Sequence, residues 1–125
     1  FMLNYYENFL VYKGEYFAIY FHAETKDSST VSDYFERCDD VTQASLLFLA
    51  KIMGDAGRIY NETKFRCEDG KNKIYCFKPR DERFFCFFLM GKKIIITSAY
   101  TKKKQKLDRN ELDKAIQIRR SYFSQ

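Results

Sequence analysis

At 125 residues, with 13 Phe and 10 Tyr, the chain is long enough for one domain around one apolar core and needs no metal or disulfide staple. Its net charge of +5 conceals a division: residues 1–63 carry 5 Lys/Arg against 10 Asp/Glu (−5) and residues 64–125 carry 17 against 7 (+10), so part of the surface suits a polyanion. No apolar run approaches the roughly 18 residues of a membrane span, no basic-then-apolar leader pattern opens the chain, and Cys38, Cys67, Cys76 and Cys86 form no C-x-x-C pair, so reduced thiols in a cytoplasmic protein without membrane contact are expected.

Residues 9–12 and 15–21 are aromatic-rich runs separated by Lys13-Gly14, a hairpin signal whose first strand reads as an accessory edge. The polar stretch 26–30 ends in helix-capping residues, and Val31, Tyr34, Phe35 and Cys38 then recur at i, i+3, i+4, i+7, which predicts a short helix broken by Asp39-Asp40. Asp40 with Gln43 reads as a capping box for a second helix through Met53, with Gly54 just past its end. That helix is apolar nearly all round, so it is either sandwiched in the domain or offers a flank to a partner. Short strands follow at 64–67, 73–78, 83–90 and 93–100, punctuated by Asp69-Gly70, residues 79–82 and Gly91. A last helix spans 109–123, capped by Asp108 with Glu111 three residues on, and Leu112, Ala115, Ile116, Arg119, Tyr122 and Phe123 share its inner face. The expected fold is a single α+β domain over 1–125: a small twisted antiparallel sheet, two N-terminal helices packed on it and a C-terminal helix.

The hairpin over residues 83–104 organises the rest. Antiparallel pairing about Gly91-Lys92 brings Arg83, Tyr100 and the run Lys102, Lys103, Lys104 to one end of the sheet, a rigid floor for a phosphate. Cleaving RNA requires the 2′-hydroxyl to attack the adjacent phosphorus, the extra negative charge to be neutralised and the 5′-oxygen to be protonated as it leaves. Cations can supply most of this, since one preorganised donor contributes about 3 kcal/mol. Arg83, Tyr100, Lys78 and Lys103 are the candidate catalytic residues; Lys64, Arg66, Lys73, Arg80, Lys102, Lys104 and Lys106 are candidate RNA contacts. Crowding by cations lowers the pKa of a lysine or tyrosine, which makes Lys64, Lys78, Lys103 or Tyr100 a conceivable general base. The plainer reading of the run at 102–106 is a solvated loop, and that reading is preferred for Lys71, Lys92 and Lys93.

Other chemistries lack their residues. There is no phosphate-binding glycine loop, no H-E-x-x-H and only one histidine, His22, which reads as a surface or sheet-packed side chain. Asp81 and Glu82 are sequence neighbours that point apart and read as a solvated turn rather than a metal-binding pair. No cofactor is expected.

The strings G-D-A-G-R-I-Y-N-E-T-K-F at 54–65, I-Y-C-F-K at 74–78, R-F-F-C-F-F at 83–88 and I-I-I-T-S-A-Y-T-K-K at 94–103, with E-L-D-K-A in the last helix, resemble the RelE/HigB family of bacterial toxins over roughly residues 15–123. The resemblance implies the α+β fold above and membership of a type II toxin–antitoxin pair, in which HigB and RelE cleave messenger RNA in the ribosomal A site. It implies as partners a cognate antitoxin, mRNA and the ribosome. Arg83 matches the arginine that opens the family's next-to-last strand, and Lys102 and Lys103 match its paired lysines after the aromatic, here Tyr100. Lys78 stands where the family usually has arginine, keeping charge without the planar fork, and Ser98 stands where several HigB-like proteins have histidine. Three readings stay open: a ribosome-dependent endoribonuclease toxin; a ParE-like toxin that inhibits DNA gyrase without catalysis; and a lapsed RNA-binding module.

Overall fold

In the computed structural model, which describes residues 4–124, two central strands bury side chains on both faces, and this sets the architecture. Strands β5 (Glu82–Leu89) and β6 (Lys93–Thr101) form the expected hairpin, with Arg83 opposite Tyr100 and Leu89 opposite Lys93. Gly91 and Lys92 turn it with φ of 84° and 59°, the left-handed region that a tight hairpin turn demands. Phe84, Phe85, Cys86 and Phe87 are all fully buried, so neither face can be left to water.

The sheet has six strands in the order β1-β2-β6-β5-β4-β3, where β1 is Leu10–Lys13, β2 Ala18–Phe21, β3 Phe65–Asp69 and β4 Ile74–Phe77. β1 is an edge strand, as expected. The sheet is mixed rather than wholly antiparallel, because β2 runs parallel to β6, Ala18 opposite Lys93 through Phe21 opposite Ile96. The intervening helices and strands give the chain length enough to return in the same direction, which a short turn cannot do.

Helices α1 (Thr30–Arg37) and α2 (Asp40–Ala56) cover one face, where Val31, Phe35, Leu46, Leu49 and Met53 meet Phe77, Phe84, Cys86, Ile94 and Ile96. Helix α3 (Arg109–Phe123) covers the other, where Leu112, Ala115, Ile116 and Tyr122 meet Ile74, Cys76, Phe85, Phe87 and Ile95. Burying one such aliphatic or aromatic side chain contributes about 2 kcal/mol. The sequence placed the limits of α2 slightly wrong. Asp39, not Asp40, caps it, accepting the Thr42 N–H at 2.8 Å, and the helix runs past Gly54 to a left-handed cap at Gly57 (φ 81°). Gly54 serves close approach instead: its carbonyl accepts the Tyr16 and Phe17 N–H groups at 2.8 and 3.1 Å, and a Cβ on Gly14 would lie 2.2 Å from its carbonyl carbon. The β1–β2 loop therefore rides on the helix backbone.

Val41, Leu47 and Phe48 on the outer side of α2 are exposed. The four cysteines are free, with Cys76 and Cys86 buried in the sheet. No helix among the described residues is long and apolar enough to cross a membrane.

Candidate functional site

The strand register carries four of the candidate residues to one place on the α3 side of the sheet. Arg66 on β3 stands opposite Cys76 on β4, which stands opposite Phe85 on β5; two residues further along, Lys78 follows β4, Arg83 lies on β5 and Tyr100 faces Arg83 on β6. Because side chains alternate across a strand, these positions share a face. Together with Glu68, Cys76, Lys102, Gln105 and Leu107 they line a concavity of about 140 Å³, roofed by the segment that leaves β6.

Two contacts hold its charged groups in place. The Arg83 Nη1 donates to the backbone carbonyls of Arg80 and Glu82, both at 2.9 Å, which fixes the guanidinium plane while its other donors meet no acceptor among the described residues. Lys78 Nζ lies 3.2 Å from Glu68 Oε1, with both side chains about nine-tenths buried. The Tyr100 ring stacks on Phe85, centroids 5.6 Å apart and planes 29° apart. Burial pushes the Tyr100 phenol above its ordinary pKa of 10, against a smaller opposing pull from the Asp108 backbone N–H and from Arg83. The hydroxyl therefore stays protonated near neutrality, and the expectation that neighbouring cations make it a base is corrected: burial outweighs them. The Cys76 thiol on the floor is pushed up to about 12 by burial and is no nucleophile.

The remaining candidates are spread more widely. Lys103, Lys104 and Lys106 line a neighbouring groove of about 480 Å³ that shares Tyr100, Lys102 and Leu107 with the concavity and also takes in Arg109. Lys103 therefore sits beside the concavity rather than in it. Lys64 is paired across from Lys78, its carbonyl accepting the Lys78 N–H at 2.9 Å, but its side chain is exposed and outside the concavity. Lys73 and Arg80 serve turns, both with φ of 57°, at sites that line neither space. Glu82 is not a solvated turn residue: it accepts hydrogen bonds from Tyr34 Oη and, at 2.9 Å, from Thr101 Oγ1. His22 packs in the sheet's margin, its Nδ1 2.8 Å from Tyr122 Oη.

Sequence reasoning missed Glu68 and Arg109. Glu68 was legible in principle, since it follows Arg66 by two on the same strand; Arg109 follows directly on the Asp108 cap at the groove's edge.

The fold is thus a mixed α+β sheet with a concavity at its cationic end. Residues 33–120 match the family described as Phage derived protein Gp49-like (DUF891), and the chain belongs to that family, a toxin-like one related to RelE/HigB-type toxins. Comparison with curated proteins returns no match.

Proposed function

We propose that this protein is the toxin of a toxin–antitoxin pair and an endoribonuclease that cleaves mRNA on the ribosome, acting through side chains alone. The observation that carries the reading is the gathering of Arg66, Lys78, Arg83, Lys102 and Tyr100 around one concavity sized for a phosphodiester. The toxin-like family supports the toxin role, and the adjoining lysine groove suits the flanking phosphates of a single strand.

In this scheme the free donors of Arg83, with Arg66 and Lys102, bind the scissile phosphate and the charge that builds on it. Lys78, held by Glu68, adds a fixed cation. Glu68, the single carboxylate among the described lining residues, accepts the 2′-hydroxyl proton as that oxygen attacks phosphorus. The P–O5′ bond breaks as the Tyr100 hydroxyl gives its proton to the leaving oxygen, and Arg83 across the ladder favours the phenolate that remains. The products are a 2′,3′-cyclic phosphate and a 5′-hydroxyl. A side chain set of this kind gains from a substrate strand already bent into position, which the ribosome provides.

The test is incubation of the purified protein with translating ribosomes and a defined message. Breakage with a 2′,3′-cyclic end supports the proposal. Intact message with blocked gyrase supercoiling would favour a ParE-like role instead, and RNA binding without either would leave a binding module.

A further inference from the structure

A second groove, on the opposite edge of β6 from Arg83, goes beyond this reading and does not depend on it. β2 leaves the sheet at Phe21, after which only the His22 N–H, 2.8 Å from the Ile96 carbonyl, continues its lane. β6 runs on to Thr101. In the β5–β6 ladder the Lys102 N–H bonds to the Asp81 carbonyl and Tyr100 faces Arg83, so the residues that alternate with them, Ala99 and Thr101, point their N–H and C=O groups away from β5. Those groups open into the vacated lane, and no strand among the described residues pairs with them.

The lane is not simply open surface. Along Thr97, Ser98 and Ala99 it forms a groove of about 560 Å³ between α1, which contributes Val31 and Tyr34, and α3, which contributes Gln117 and Ile118; Thr101 lies just past the end of this groove. Natural sheets usually blunt or cover a free edge; here two helices wall it on both sides, the arrangement in which an added strand receives backbone bonds from the edge and places alternate side chains against each wall. The rim carries Glu24, Glu111 and Asp113 against Lys114, a balance of −2 in a chain whose overall charge is +5. That sign repels nucleic acid and favours cations.

We propose that this groove receives an extended, lysine- or arginine-bearing segment of a partner protein, about five residues long, which continues β2's lane and pairs with Ala99 and Thr101 of β6. The run of β6 from Thr97 on the groove floor to the strand's end at Thr101, two residues past Ala99, sets its length. The acidic rim sets its charge, and the apolar walls of Val31 and Ile118 set the apolar alternation.

The experiment is titration of the full ¹⁵N-labelled chain with a short capped peptide alternating lysine and valine, and with its glutamate-valine counterpart. The expected result is saturable shifts of the Ala99 and Thr101 amides, slowed hydrogen exchange at both, and binding of the glutamate peptide at least about tenfold weaker. Ala99→Pro removes one edge donor that β5 does not use, so it is expected to keep the melting temperature within a few degrees and lose the binding. Asp113→Lys, on the exposed rim, is expected to weaken binding several-fold without touching the edge. Shifts confined to other elements, equal binding by Ala99→Pro, or an oligonucleotide displacing the peptide from these amides would overturn the proposal.

Discussion

Glu68 Oε1 lies 3.2 Å from Lys78 Nζ inside the cationic concavity, an ion pair whose two side chains keep only 12% and 11% of their surface in water. Removing one member of such a pair leaves the other charge buried and uncompensated, at a cost of about 3 kcal/mol. Glu68→Gln is therefore expected to lower the melting temperature by roughly 10 °C. It is also expected to tighten RNA binding, since one anion leaves a site built for a phosphate, while slowing cleavage by about a hundredfold or more because the proton acceptor is gone. Thermal unfolding, filter binding and single-turnover cleavage measure the three separately. Weaker binding with a normal rate would contradict the assignment.

The stacking of Tyr100 on Phe85 survives in Tyr100→Phe, and only the hydroxyl is removed. The variant is expected to keep its stability within about 0.5 kcal/mol, as the phenol is only partly buried. The cleavage rate is expected to fall by about a hundredfold while RNA affinity changes little. Because burial raises the Tyr100 pKa above 10, the wild-type rate should show no rise attributable to phenolate formation between pH 6 and 9. A rate–pH profile that steps upward there, and loses the step in the variant, would restore Tyr100 as a base.

Lys103, Lys104 and Lys106 line the outer groove, not the concavity, so they are expected to bind strand rather than assist chemistry. Replacing all three by alanine should reduce the salt slope of single-strand binding by roughly 2, about 0.7 for each phosphate that a lysine no longer neutralises. The single-turnover rate at saturating RNA should change less than about fivefold. A collapse of that rate with an unchanged salt slope would place one of the three at the scissile phosphate.

His22 supplies a pH dependence of folding. Burial holds its pKa below 6.5, the ordinary value, with Glu24 opposing weakly, and the ring meets Tyr122 Oη at 2.8 Å. A folded-state value below the unfolded one means that the unfolded chain takes up the proton first. Stability is thus fully present above about pH 6.5 and declines as pH falls from there through the lowered folded value. Urea unfolding is expected to show this decline between pH 7 and 5, and His22→Gln to remove most of it. A stability that rises on acidification through that interval would contradict the sign.

Much of the fold was legible in the sequence because it rests on local rules. Alternation and the Gly91-Lys92 turn placed the β5–β6 hairpin, and that alone set Arg83 opposite Tyr100. The caps at Ser29 and Asp108 announced α1 and α3. What failed was non-local. The parallel β2–β6 pairing depends on the path through two helices, which no window of residues encodes. Gly54 looked like a helix end, and only the β1–β2 loop lying on it shows why a glycine stands there. At the site, the spread of Lys64, Lys73 and Arg80 away from the concavity followed from turn geometry, and the Glu68–Lys78 ion pair joins β3 to the residue that follows β4. Charge counting saw a basic half; it had no means of telling which of the seven carboxylates in that half faces the concavity.

The central claim is that Arg83, with its plane set by two backbone carbonyls, neutralises the charge formed on a scissile phosphate. The most direct measurement is the single-turnover rate of message cleavage on translating ribosomes by Arg83→Ala and Arg83→Lys, with circular dichroism confirming that both remain folded. The rate is expected to fall by about a hundredfold or more in the alanine variant and to recover only in small part with lysine, whose point charge lacks the fork. Cleavage by folded Arg83→Ala at the wild-type rate would contradict the account.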